Sequence, residues 1–267
     1  MEENTSPLDY AEDMDMTEAE SQRPLIVITN DDGIGAPGLR YLIDTVKDMG
    51  DIIVLAPDSP RSGQSSAITV NQMLRIKLEE ESEGLQIYRI NGTPVDCVKL
   101  GMYAVVPRRP DLLLAGVNHG SNSGTSVIYS GTMGAVIEGC FLGIPSVGFS
   151  LLHSSWTADF SECGPIIRDV SEETLRYGLP QGICLNVNIP AQCKPLGLKR
   201  CKASQGYWTD EYTEYRDPNG KPFYLLTGRF VDKNPDDDTT DNYWLARQWA
   251  TLVRVNVDMS ADRAMAE

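Results

Sequence analysis

Histidine is scarce in this chain: only His119 and His153 occur, in no metal-motif spacing. A zinc site built in the usual way from His and Cys is therefore not expected. The six cysteines, Cys97, Cys140, Cys163, Cys184, Cys193 and Cys201, contain no C-x-x-C pair. With no secretory signal in view, all six read as reduced and structural, Cys97 and Cys140 as small buried hydrophobes. Positive charge is also short, with 23 Lys and Arg against 38 Asp and Glu and a formal net charge of −15. A surface of that sign does not track a nucleic acid duplex. An anionic small substrate would need a metal to supply local positive charge. No apolar run approaches the roughly 20 residues that span a bilayer, so no membrane contact is expected. The first 23 residues lack both the apolar stretch of a secretory signal and the Arg-rich character of a transit peptide. They read as a disordered acidic leader on a soluble, cytoplasmic protein.

What is present fits an α/β protein. From Pro24 short apolar runs alternate with helical periodicity, the pattern of a parallel sheet wrapped by helices. LIVIT (25–29), DIIVLAP (51–57), DLLLAGV (111–117), SVGFSL (146–151) and ICLNVNIP (183–190) read as core strands. Pro37 suits a helix start, with Leu39, Leu42, Ile43 and Val46 at helical spacing. Further helices are expected over 93–106, capped by Thr93 with Pro94 at its first position, over about 133–142, and over 160–177. Residues 68–90 read as a β-hairpin. From about Leu196 the chain turns aromatic and polar, and the DPNG turn between two aromatic runs predicts a long C-terminal β-hairpin arm. The expected division is a leader (1–23), a catalytic domain (24–195) and an arm with an oligomerisation segment (196–267).

Gly33, Gly35 and Gly38 spell G-x-G-x-x-G between the first strand and the first helix. That is the spacing of a dinucleotide fingerprint, which needs backbone amides close to a pyrophosphate. Asp31 and Asp32 stand directly before the first glycine and would repel that group. Ligands of open α/β sheets bind outside the carboxyl ends of the strands. Three strands here end in polar loops: Asn30 to Asp32, Ser59 to Ser66, and Asn118 to Asn122. Two carboxylates with hydroxyl and carboxamide oxygens suit a hard divalent cation better than a nucleotide cofactor.

Five blocks carry a family resemblance: TNDDG (29–33), APDSPRSGQSSAIT (56–69), NGTPVDCVKLG (91–101), GVNHGSNSGTSVIYSGTMGAVIEG (116–139) and GIPSVGFSL (143–151). Together they closely resemble the SurE family of stationary-phase survival phosphatases, the 5′/3′-nucleotidases, from Pro24 to about Pro190. The resemblance implies a Rossmann-like, mostly parallel sheet flanked by helices. It implies hydrolysis of nucleoside 5′-monophosphates, and in some members of 3′-monophosphates or short polyphosphate. One divalent ion per subunit is implied, Mg²⁺ or Mn²⁺ with Co²⁺ as an alternative, held by Asp31, Asp32, Ser62 and Asn118. Asn122 and the Ser130-Gly131-Thr132 loop would contact phosphate. Assembly as a homodimer or homotetramer through C-terminal segments is also implied. The chain departs from the family at its acidic leader and at QWATLVRVNVD, where a Ser-x-Thr-Pro-Leu-like strand is common.

On this reading Asp31 and Asp32 are the catalytic residues as well as metal ligands, and water attacks phosphorus directly. Attack by an aspartate or by Ser62 stays open, although D-x-D-x-T is absent and no base stands near Ser62 in sequence. His119 and Arg61 are neighbours of candidate ligands without an assigned role. Tyr207, Trp208, Tyr212 and Tyr215 suit an arm-to-arm interface better than a base-stacking surface. A nucleotide sensor without turnover is the competing function.

Overall fold

The protein is represented by a computed structural model that describes residues 23–260; the acidic leader up to residue 22 lies outside the described residues. The chain alternates strand and helix through its first two thirds. In order it forms β1 (Leu25–Thr29), α1 (Pro37–Val46), β2 (Asp51–Pro57), β3 (Ile76–Ser82), β4 (Leu85–Ile90), α2 (Pro94–Ala104), β5 (Leu112–His119), α3 (Gly131–Phe141), β6 (Ser146–Leu151), α4 (Gly164–Tyr177) and β7 (Ile183–Ile189). One nine-stranded sheet runs β3-β4-β2-β1-β5-β6-β7-β13-β8, where β8 is Leu198–Cys201 and β13 is Ala250–Asn256. The strands β4, β2, β1, β5, β6 and β7 are mutually parallel. β3 returns antiparallel to β4 as the expected hairpin, and β13 runs antiparallel to β7.

The central strands are buried on both faces, which is why they read as unbroken apolar runs. Ile26 and Ile28 face a core shared with Leu39, Leu42, Ile43 and Val46 of α1 and with Ile167 and Val170 of α4. Leu25 and Val27 face the opposite core, with Val98 of α2 and Met133 and Val136 of α3. Two helices thus cover each face, and the strand ends stay open.

Two of the glycines in the fingerprint-like stretch have separate packing duties. Gly33 adopts φ +94° in the turn after β1. At Gly38 a Cβ would lie 2.1 Å from the carbonyl oxygen of Val117, so glycine lets α1 press onto β5. At Gly33 a Cβ would also lie 3.1 Å from the Ser59 carbonyl carbon, so packing within the fold accounts for both glycines.

Several boundaries differ from the sequence expectation. α3 begins at Gly131, two residues early, because the Ser130 hydroxyl caps it by accepting from the Met133 N–H at 3.0 Å. α4 begins at Gly164, and residues 161–163 form a short 3-10 turn ahead of it. α2 has its expected Thr93 cap, reinforced by Asp96, which accepts from the Thr93 N–H to complete a capping box. The sheet also crosses the expected division at residue 195, since β8 and β13 lie in it. Only β9 (Gly206–Thr209), β10 (Tyr212–Arg216), β11 (Pro222–Leu226) and β12 (Arg229–Asp232) form the arm, pairing as β10-β11 and β12-β9. A short helix, α5 (Asp241–Leu245), leads back to β13. Among the described residues no helix is long and apolar enough to cross a membrane.

Candidate active site

β1 lies between β2 and β5, so the loops following these three strands share one edge of the sheet. Asp31 and Asp32 follow β1 and are both buried, at 4% and 8% exposure. Each has one oxygen fixed by another loop. Oδ1 of Asp31 accepts a short hydrogen bond from the Thr132 hydroxyl, and Oδ2 of Asp32 accepts the His119 N–H at 3.0 Å. The Arg61 N–H reaches the Asp31 carbonyl at 2.7 Å and draws in the loop after β2. Ser65 of that loop ties on to the turn before α3, donating its hydroxyl to the Ile128 carbonyl at 2.6 Å.

The electrostatics of the pair follow from its burial. Desolvation first, and then the Asp32 charge, push the Asp31 carboxyl up to about 6. Asp32 is also pushed up by burial, opposed by the His119 N–H. Two adjacent carboxylates in a low-dielectric cleft are therefore under-compensated by the protein itself.

Asn118 donates through Nδ2 to the Gly120 carbonyl at 2.8 Å, so its carboxamide oxygen is the end left over. Ser62 is exposed, one residue beyond Arg61. Asp31 and Asp32 follow β1, Ser62 lies in the loop after β2, and Asn118 is the second-last residue of β5, one position beyond the expected strand end at Val117. Among the described residues no group of three or more His, Cys, Asp and Glu side chains is placed to hold a metal ion. Any cation held here would be bound by two carboxylates completed by neutral oxygens, a set that fits Mg²⁺ or Mn²⁺. Three buried polar atoms without a partner lie on these same loops: Asn30 Oδ1, Arg61 Nε and His119 Nε2.

The residues expected to contact phosphate divide into two kinds. Ser130 and Gly131 open α3; the Ser130 hydroxyl takes the Met133 N–H, and the N–H groups ahead of it have no intrahelical acceptor and suit an anion. Gly131 is forced by proximity: a Cβ there would lie 2.8 Å from the Asp31 Cβ. Thr132 and Asn122 face inward. The Thr132 hydroxyl is committed to Asp31. Asn122 donates through Nδ2 to the Ser150 hydroxyl at 2.8 Å and through its backbone N–H to Asn188 Oδ1 at 2.9 Å, while its carbonyl accepts from Asn186 Nδ2 at 2.9 Å. These bonds tie both residues to neighbouring elements.

Sequence reading missed these supports. Asn186 and Asn188 alternate along the core strand β7, and a polar residue at every second position of a buried strand is a visible signal of a buried network. Asp241 was also missed. Fully buried, it accepts from the N–H groups of Gly124 and Ser204, each at 2.8 Å, and of Asn242 at 2.9 Å. No local pattern around it announces that role. His119 has a definite tautomer, because Nδ1 lies 2.9 Å from the Ser155 carbonyl, which can only accept, so Nδ1 carries the hydrogen.

Fold and site together define an open, doubly wound α/β protein whose oxygen-lined cleft sits at the carboxyl ends of its strands. The chain belongs to the SurE family: the family model described as survival protein SurE matches residues 26–210. It is 45% identical over 246 residues to a 5′-nucleotidase SurE of Phocaeicola vulgatus, covering 92% of this chain and 96% of that one. It is 43% identical over 248 residues to the 5′-nucleotidase SurE of Bacteroides fragilis, covering 93% and 97%. The crystal structure of the SurE protein from Aquifex aeolicus superposes with a TM-score of 0.78 at 30% identity, covering 91% of this chain and 97% of that one.

Proposed function

We propose that this chain is a divalent-metal-dependent phosphomonoesterase that hydrolyses nucleoside 5′-monophosphates to nucleoside and phosphate. Nucleoside 3′-monophosphates and short polyphosphate are proposed as further substrates. The observation that carries the reading is the buried Asp31–Asp32 pair packed against the N-terminus of α3. Relatives named 5′-nucleotidase SurE, similar over nearly the full length, support it.

Asp31, Asp32, Ser62 and Asn118 would hold one Mg²⁺ or Mn²⁺ ion, or Co²⁺. Such an ion supplies Lewis acidity and makes a water more acidic. The chain itself supplies placement. Thr132 orients Asp31, and the His119 N–H orients Asp32. The free N–H groups at the start of α3 hold phosphate oxygens and stabilise their charge as the bond breaks. A carboxylate oxygen of the pair orients the attacking water and accepts its proton.

The deciding experiment is phosphate release from a panel of phosphate monoesters with Mg²⁺, Mn²⁺ and Co²⁺, before and after EDTA. Activity that is abolished by chelation and restored by one of the three ions is expected. Full activity after exhaustive chelation would overturn the metal role. Nucleotide binding without turnover under every condition would leave a sensor.

The arm supports assembly with a second copy as a homodimer or homotetramer. It exposes Tyr207, Tyr212, Tyr215, Phe223, Tyr224, Leu225 and Leu226 together, a surface that a two-stranded arm cannot bury by itself. Light scattering that reports a monomer at micromolar concentration would overturn this.

A further inference from the structure

The Asp31–Asp32 pair and the net charge of −15 oppose a phosphomonoester's own charge. A nucleotide therefore gains from any contact made by its uncharged part. An aromatic surface is joined to the pair through His119. The His119 N–H donates to Asp32, and the His119 ring packs on Trp156 with centroids 5.2 Å apart, tilted by 46°. The same imidazole meets Phe160 edge-on at 5.0 Å, and Phe160 is buried. Trp156 is 52% exposed. An open indole is thus a single side chain removed from the carboxylates.

The loop that carries it is fixed. Ser155 receives the His119 Nδ1 hydrogen on its carbonyl at 2.9 Å, and its own N–H donates to His153 Nδ1 at 3.2 Å. The Ala158 N–H donates to the Ser155 carbonyl at 3.1 Å, and the Thr157 N–H to the Ser155 hydroxyl at 3.1 Å. Trp156 therefore spans a tight turn anchored to the end of β5. A large rigid π-face held in advance loses little freedom when a second ring lies on it. The other exposed aromatic near the cleft, Tyr129, precedes Ser130, and none of the aromatic ring pairs within the described residues includes it.

We propose that Trp156 is the stacking platform for the base of a nucleoside monophosphate, a subsite that rests on the nucleotidase reading above. Every base has a π-face, so this contact gives general nucleotide preference, ordered by ring size, and no hydrogen-bonded readout. Purine monophosphates should be preferred to pyrimidine ones, and both to a phosphate ester that has the sugar and no base.

The test compares AMP with ribose 5-phosphate, which keeps the phosphate and ribose and lacks the base. In the intact protein with Mn²⁺, KM for AMP should lie about tenfold or more below that for ribose 5-phosphate, the scale of one base–aromatic stack. Trp156→Ala should bring the ratio of the two KM values to about one, and Trp156→Phe should keep most of it. Equal KM values in the wild type, or a ratio that survives Trp156→Ala, would overturn the platform. So would an equal loss on both substrates, which is what a merely structural role gives. Collapse of the ratio in Tyr129→Ala and not in Trp156→Ala would move the platform to Tyr129. A readout without turnover separates this inference from the nucleotidase reading: adenosine should quench tryptophan emission saturably, and Trp156→Phe should abolish that quenching. If neither ester is hydrolysed the nucleotidase reading falls, while the quenching still decides the platform.

Discussion

Thr132 donates its hydroxyl hydrogen to Oδ1 of Asp31 across 101 residues of sequence, joining the first turn of α3 to the end of β1. The bond favours the ionised carboxylate, against the upward push of burial. Thr132→Val keeps the shape and removes the donor. The Mn²⁺ concentration for half-maximal activity at pH 7 should rise by about tenfold, the worth of one charge-assisted hydrogen bond. Thr132→Ser should stay near wild type. A Val variant with unchanged Mn²⁺ dependence would show that the bond has no part in metal binding.

The raised carboxyl predicts how the metal-free protein responds to pH. An unfolded chain releases the Asp31 proton near 3.8, and the folded chain keeps it until about 6. Between those values the folded state binds more protons, so stability falls as pH rises through the window. Above the window the deficit is complete, about 3 kcal/mol. A cation bound only to the folded, ionised pair reverses the deficit. Saturating Mn²⁺ should therefore raise Tm more at pH 7.5 than at pH 5. In EDTA, Asp31→Asn should raise Tm at pH 7.5 relative to wild type, and it should diminish the Mn²⁺ shift. Equal Mn²⁺ shifts at both pH values would refute this account.

The parallel sheet was legible because β1, β2, β5, β6 and β7 are buried on both faces and are mostly apolar, with polar residues such as Asn186 and Asn188 as exceptions. The candidate site was legible for the opposite reason. Asp31 and Asp32 interrupt that apolar logic where a core strand ends, opposite two more oxygen-rich loops, a place that favours a ligand over a solvated turn or a cap. What escaped were contacts set by the tertiary fold. The resemblance implies a phosphate contact at Thr132, and nothing in the local sequence shows that its hydroxyl also reaches Asp31. β13 reads as part of a C-terminal appendage, and its place between β7 and β8 depends on a chain reversal through the whole arm. His119 and Trp156 are far enough apart in sequence that their ring contact is invisible until β5 and β6 are paired.

Asp241 shows how the C-terminal segment reaches the site loop. Its Oδ2 accepts the Gly124 N–H, and its Oδ1 accepts the N–H groups of Ser204 and Asn242. Ser123 adds a hydroxyl donated to Asn242 Oδ1 at 2.7 Å. Gly124 sits at φ +56° between the loop after β5, which bears Asn122, and the turn that leads to Ser130. The loop is thus fixed from behind by a carboxylate that touches no candidate ligand. Asp241→Asn replaces one accepting oxygen with an N–H donor, so at least one buried backbone N–H loses its partner. That costs about 1–3 kcal/mol. Tm should fall by several degrees, and kcat/KM for AMP should drop about tenfold as Asn118 and the start of α3 lose their common support. Asp241→Glu keeps both oxygens but adds a methylene in a fully buried place, and should lower Tm as well. Wild-type kcat/KM in an Asp241→Asn protein whose Tm has fallen would show that Asp241 supports the fold alone and does not position the catalytic loop.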